Sequence, residues 1–267
     1  MTRIKLVVSD VDGTLLTHDK VLTDGAKAAV GRLHAAGIGF TLVSSRPTIG
    51  MRFLIEPLSI TLPIGAFNGS SIVDAHLKPI EQHLIDPAVA QRGLDVLHAF
   101  GVDIWLFTND RWYTRNPDGE YVPNEKRAIK ADPTIVDDFA PYLAEACKIV
   151  GASPDPVLLQ RCEAAMKEAV GTEATAVRSQ TYYLDVTPPG HDKGTFVDAM
   201  TRRLGMSAAE VATIGDMEND LPMFARSSVS FAMGNAADDI KQRATHVTES
   251  NERDGFARAV ETMLQLG

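Results

Sequence analysis

The chain has 267 residues, 45% hydrophobic and 23% charged, with a formal net charge of −9. This is the composition of a globular protein, long enough for one large domain or two smaller ones. The acidic balance, with no basic block against it, excludes extended nucleic-acid backbone binding as the main activity, and no run approaches the roughly 18 uncharged apolar residues of a membrane span.

Cys147 and Cys162 have neither CxxC nor zinc spacing, and two cysteines are too few for a disulfide scaffold. They read as reduced packing residues of a cytoplasmic protein. The N-terminus reads as a strand and not as a signal peptide.

In chain order, the apolar run Ile4 to Val8 predicts a buried strand that delivers Asp10-Val11-Asp12-Gly13-Thr14 to its carboxyl end. Thr23-Asp24 caps a predicted helix with Ala28, Ala29, Leu33 and Ala36 on its apolar face, ending at Gly37. Ile38 to Val43 is a second strand, closed by Ser44-Ser45-Arg46-Pro47, and Pro47 suits a helix's first turn. Pro63 to Phe67 reads as a third strand, followed by Asn68-Gly69. Alternating strands and helices predict a parallel, doubly wound α/β sheet.

From about His83 to Thr187 the pattern changes and most aromatic residues collect. A helix over Pro87 to Phe100 and strands over Val102 to Phe107 and Trp112 to Thr114 are expected. An irregular stretch follows, then a strand, a helix and two strands to Val186. Pro188-Pro189-Gly190 marks the return. The stretch 83–187 is therefore expected to be an α+β domain inserted into a core made of 1–82 and 188–267. In the second half of the core, an amphipathic helix over Lys193 to Leu204 is followed by a Ser207 to Glu210 capping box. The strand Val211 to Ile214 comes next, with further strand and helix elements to Leu264.

Four sites stand at predicted strand ends or helix starts. Asp10 and Asp12 form a like-charged pair that needs a cation, a shared proton or a reaction; alone, it also fits a plain Asp-Gly turn. Ser44-Ser45-Arg46 fits an anion site at a helix N-terminus, or a simple N-cap. Lys193 fits a surface lysine equally well. The segment from Gly215 to Asp220 (Gly-Asp-Met-Glu-Asn-Asp) fits an acidic capping loop. A doubly wound sheet would gather all four at one crevice. There, Asp10, Asp12 and Asp216 supply hard oxygen ligands suited to Mg²⁺, while Ser44, Lys193 and helix amides supply donors for a dianion. Together these point to phosphoryl transfer.

These residues resemble, in order, the four motifs of the haloacid dehalogenase superfamily, and Asn68-Gly69 is similar to its Cof-type branch. The resemblance implies that Asp10 is the nucleophile, forming an aspartyl-phosphate, and that Asp12 is the general acid and base. It implies that Mg²⁺ is held by Asp10, the Asp12 carbonyl and Asp216, with Asp220 behind them. Val11, Ser44, Ser45, Lys193 and Asn219 would bind the phosphoryl oxygens. There is no room for a cap domain between Asp10 and Ser44. The stretch between Ser44 and Lys193 holds one of about a hundred residues, as in the sugar phosphatases and phosphomannomutases of that branch.

Two departures stand out. Ser45 replaces the usual glycine of the second motif, and His191-Asp192, read here as surface residues, precede Lys193. Arg46, Asn68, Arg111, Trp112, Tyr113, Arg115 and Arg127 are the candidates for contacting the leaving group. The expected activity is hydrolysis of a small phosphorylated metabolite, by a monomer or homodimer that binds neither nucleic acid nor membrane. A phosphomutase or an aspartate-phosphorylated switch are the alternatives.

Overall fold

The computed structural model describes residues 3–266. The chain separates into two compact units. One holds the segment ending at Ser45, Arg52–Ile80 and everything from His191 onward; the other holds Arg46–Met51 and Glu81–Gly190.

The first unit is built on a five-stranded parallel sheet. Its order from one edge is His246–Val247, Val229–Ala232, Val211–Gly215, Leu6–Ser9 and Gly39–Leu42. All four residues of Leu6–Ser9 are buried, as befits a strand covered on both faces. The chain leaves this strand toward Gly39–Leu42 on one side and meets Val211–Gly215 on the other, so the strand order reverses here. That is where an open α/β sheet places its ligand crevice. The register Ser9↔Ile214 brings Asp10 beside the strand end that carries Asp216.

The helix Asp24–Ala35 is capped by Thr23, whose hydroxyl accepts from the Ala26 amide at 3.0 Å. Its buried face is Ala26, Ala29, Val30 and Leu33. Ala28, expected inside, is exposed, because the buried stripe is set by the sheet and by the packed helix Gly255–Leu266. The third predicted strand is present as Ile64–Ala66; it meets the parallel sheet through the parallel bridge Val43↔Gly65 and pairs antiparallel with Ser71–Val73.

In the second unit a six-stranded sheet runs in the order Thr175–Gln180, Tyr183–Thr187, Lys148–Ala152, Asp103–Phe107, Trp112–Thr114, Thr134–Ile135. Helices Pro87–Phe100 and Pro156–Val170 both start at an Asp-Pro step, with Asp86 and Asp155 accepting from first-turn amides. Their apolar faces pack with Ile104, Leu106, Ile149, Leu184 and Val186. The stretch read as irregular contains a helix, Val122–Ile129. Only Val122 and Ile129 of it are buried, too little apolar periodicity to register in a sequence.

Trp112, a candidate for substrate contact, is a packing residue. It is 1% exposed, meets Trp105 edge-to-face at 5.2 Å and stacks on Phe107 at 5.9 Å. Tyr113 is likewise buried, stacked on Tyr142 at 4.0 Å. Arg111, Arg115 and Arg127 are exposed; the Arg115 guanidinium lies 3.1 Å from His98 Nε2, and Arg127 donates to Asn124.

Two outcomes follow. Trp112→Ala should destabilise the protein by about 3–5 kcal/mol, as large-to-small changes in a core do, in denaturant unfolding. Glu210 is held at about 2 by the Lys5 ammonium, 2.6 Å away, and by the Ser207 amide and hydroxyl. A depressed carboxylate pKa stabilises above its unfolded value and ceases to do so as pH falls through the folded one. Glu210→Gln should therefore melt below the parent at neutral pH, and the gap should close as pH drops from about 4.5 to 2.

Candidate active site

Asp10, Asp216 and Asp220 are set by strand ends of the first unit and the loops that follow them, and Lys193 opens the helix Lys193–Leu204. Asp10 leaves the opening strand with its amide bonded to Ile214 O at 2.9 Å. Its side chain is buried, and the Lys193 ammonium donates to Oδ1 at 2.6 Å. Lys193 also donates to Asp220 Oδ1 at 2.6 Å, so two of its three N–H groups hold carboxylates. The other Asp220 oxygen accepts from the Asp216 and Met217 amides at 2.8 and 2.9 Å. Asp220 thus fixes both the lysine and the loop that presents Asp216.

Asp216 is held from two further sides. Thr14 Oγ1 donates to its Oδ1 at 3.1 Å, and Asn235 Nδ2 donates to its Oδ2 at 3.2 Å and to Gly13 O at 2.9 Å. Gly13 has φ +80°, and a Cβ there would stand 2.3 Å from Asp216 Oδ2. Only glycine allows this approach. The same holds at Gly215, where a Cβ would stand 2.4 Å from the Asp220 carboxyl carbon.

Carboxylate oxygens of Asp10, Asp216 and Asp220 lie within 4.8 Å of one another, all three residues buried. With a single ammonium among them, full ionisation leaves two negative charges uncompensated. A like pair about 4 Å apart costs roughly 4 kcal/mol at an effective dielectric near 20. Burial accordingly raises Asp10 well above the carboxylate range, against the pull of Lys193, with Asp220 and Asp216 adding to the rise. Asp216 is pushed up to about 6, mainly by desolvation and then by Asp220. For Lys193, burial alone would favour the neutral amine, but Asp10 and Asp220 outweigh it and hold the ammonium charged. Closely set, hard oxygen donors with surplus negative charge are a donor set that suits Mg²⁺.

The Asp12 side chain stands apart from this cluster. It is 31% exposed and pairs with Lys20 Nζ at 2.7 Å. Ser44 is buried; its amide donates to Gly65 O at 2.9 Å and its carbonyl accepts from the Asn68 amide at 2.7 Å. Asn68 adopts φ +57° and accepts from Asn219 Nδ2 at 3.1 Å. One asparagine therefore ties the Ser44 strand end to the Asp216 loop. Val11 is buried and Ser45 half-buried. Asp192, read as a surface residue, is the N-cap that starts the Lys193 helix. Its side chain accepts from the Thr195 amide at 2.8 Å, and its own amide donates to Thr195 Oγ1 at 3.1 Å. Arg46, a leaving-group candidate, is instead buried on backbone carbonyls of the second unit.

Sequence reasoning gave no role to Thr14, Lys20 or Asn235. Asn235 had a faint signal, since it follows Gly234 just beyond the carboxyl end of the strand Val229–Ala232.

The chain belongs to the haloacid dehalogenase-like hydrolases, whose family profile matches residues 7–260, and it is an enzyme of the phosphatase kind. A Haemophilus influenzae protein bearing a general phosphatase name is 30% identical over 260 residues, covering 96% of this chain and 97% of its own. The pyridoxal phosphate phosphatase of Escherichia coli is 24% identical, covering 96% of this chain and 97% of its own. Among solved structures, a haloacid dehalogenase-like hydrolase from Bacteroides thetaiotaomicron superposes with a TM-score of 0.92 at 27% identity, covering 98% of this chain and all of that one.

Gly13→Ala should cost roughly 1–2 kcal/mol from its left-handed backbone alone. It should also displace Asp216, seen as a further drop in melting temperature.

Proposed function

We propose that the protein is a Mg²⁺-dependent phosphomonoester hydrolase that passes the phosphoryl group of a small metabolite to Asp10 and then to water. The observation that carries this reading is the buried Asp10, Lys193, Asp216 and Asp220 constellation at the carboxyl ends of neighbouring parallel strands. Mg²⁺ would be held by Asp10, the Asp12 main-chain carbonyl and Asp216, and when bound it supplies positive charge against the phosphoryl oxygens and the attacking carboxylate.

In the first step an Asp10 oxygen bonds to phosphorus as the ester P–O bond breaks. The electron pair goes to the leaving oxygen, and Asp12 gives that oxygen its proton. In the second step Asp12 takes a proton from water as the water oxygen attacks the aspartyl-phosphate, which frees Asp10 and inorganic phosphate. Asp12 is partly exposed, open to proton exchange, and its pairing to Lys20 favours the carboxylate that takes a proton from water in the second step. Lys193 offsets the repulsion between Asp10 and the incoming dianion, while Ser44, Asn219 and the Val11 and Ser45 amides bind phosphoryl oxygens.

In this reading 1–82 and 188–267 form the catalytic core, and 83–187 forms a cap that selects the leaving group. A sugar phosphate remains the first substrate class to test. Relatives named for pyridoxal phosphate and for 5-amino-6-(5-phospho-D-ribitylamino)uracil add phosphorylated ring compounds. Those names describe hydrolysis, which favours a phosphatase over a mutase or a phosphorylated switch.

With p-nitrophenyl phosphate, activity should appear with Mg²⁺, vanish with EDTA and return on Mg²⁺ readdition. Asp10→Asn should lower turnover by at least about a thousandfold. Undiminished hydrolysis in that variant would overturn the mechanism.

A further inference from the structure

The strands Ile64–Ala66 and Ser71–Val73 are joined through a turn whose backbone is unusual. Three residues in succession stand in the left-handed region, Phe67 at φ +51°, Asn68 at +57° and Gly69 at +94°. Glycine takes such angles freely and asparagine tolerates them, but a bulky side chain seldom does. Phe67 is held there all the same, 1% exposed, so the contacts around the turn outweigh a conformation this residue would otherwise leave. Backbone strain of this kind collects where function needs a fixed geometry.

What the turn fixes is Asn68. Its amide donates to Ser44 O at 2.7 Å, and its Oδ1 accepts from Asn219 Nδ2 at 3.1 Å. The next residue, Gly69, lies so close to the helix Lys193–Leu204 that a Cβ would stand 2.8 Å from Phe196 Cβ. The turn is thus tied to the Ser44 strand end, to the Asp216 loop and to the helix that opens with Lys193. All of these elements belong to the first unit.

Asn219 is exposed, and the bond to Asn68 is the one hydrogen bond its side chain makes among the described residues. A side-chain amide is planar, with two N–H groups on one nitrogen. Once Asn68 holds the first, the direction of the second is set. Without that bond the side chain would turn about its own torsions and be ordered only on binding an anion, at a cost to affinity.

We infer that Asn68 is a positioning residue: its side-chain oxygen holds the Asn219 amide in place, so that the second N–H of Asn219 meets a phosphoryl oxygen already ordered. The inference rests on the phosphatase reading above. It assigns Asn68 to the phosphate subsite through Asn219, with no contact of its own to the leaving group.

The test uses Asn68→Gly, which removes the side-chain acceptor, suits φ +57° and keeps the amide that donates to Ser44 O. It is compared with Asn219→Ala and with the double variant. Inhibition of p-nitrophenyl phosphate hydrolysis by inorganic phosphate is measured in Mg²⁺ buffer, beside the melting temperature. Asn68→Gly should raise the phosphate inhibition constant about three- to tenfold, the worth of one hydrogen bond. In the Asn219→Ala background the same change should have no further effect, because a residue that acts through another is silent once its partner is gone. Asn68→Ser, whose shorter side chain gives up the same acceptor, repeats the comparison if Asn68→Gly folds poorly. A role confined to shaping the turn would move the melting temperature and leave the inhibition constant at the parent's value. That result, an equal rise with and without Asn219, or an Asn219→Ala variant with the parent's constant overturns the inference alone. A parent protein that neither hydrolyses the ester nor binds phosphate overturns the phosphatase reading, and this inference with it.

Discussion

The constraint on which this structure depends is surplus negative charge gathered out of water. Asp10, Asp216 and Asp220 converge around one ammonium, an arrangement that a fold selected for stability alone would avoid. Lys193 makes it tolerable. It is buried and bonded to two of the three acids, and their charge keeps it protonated despite the burial. The remaining imbalance appears as the raised affinity of Asp10 and Asp216 for protons. It can be relieved by a proton or by a divalent cation, and a site that turns over phosphate esters has use for the second.

Around that charge the fold is arranged for placement. A parallel sheet points every strand's carboxyl end the same way, so a change of strand order is enough to bring Asp10 and Asp216 side by side. Two glycines then remove the side chains that would keep the acids apart, Gly13 against Asp216 and Gly215 against Asp220. Polar residues without charge complete the support. Thr14 and Asn235 hold Asp216, and Asn68 joins the Ser44 strand end to Asn219. Such second contacts limit how far each carboxylate can turn.

The second unit follows a different logic. Its sheet packs two amphipathic helices by ordinary apolar burial, and its indoles are used for packing rather than displayed. It also takes in six residues, Arg46–Met51, from the middle of the first unit's sequence.

Much of this was legible in the residues. Local rules sufficed for the buried opening strand, the Thr23 and Ser207 caps and the helix that starts at Pro87, because each depends on neighbours within a few positions. The four motifs were legible because phosphoryl chemistry permits few residue types at a strand's end. Other features were settled by contacts between residues far apart in the chain. Only packing decided that Ile64–Ala66 would pair with Ser71–Val73, that Trp112 would be core, and that Arg46 would cap a helix 82 positions away. Asn235 reaches Asp216 only because a neighbouring strand brings its loop to the same crevice. The sequence by itself determined which groups were available and the order in which a wound sheet would present them. The tertiary structure decided which of them meet, since burial, register and the close approach at Gly13 belong to the assembled sheet and to no local segment.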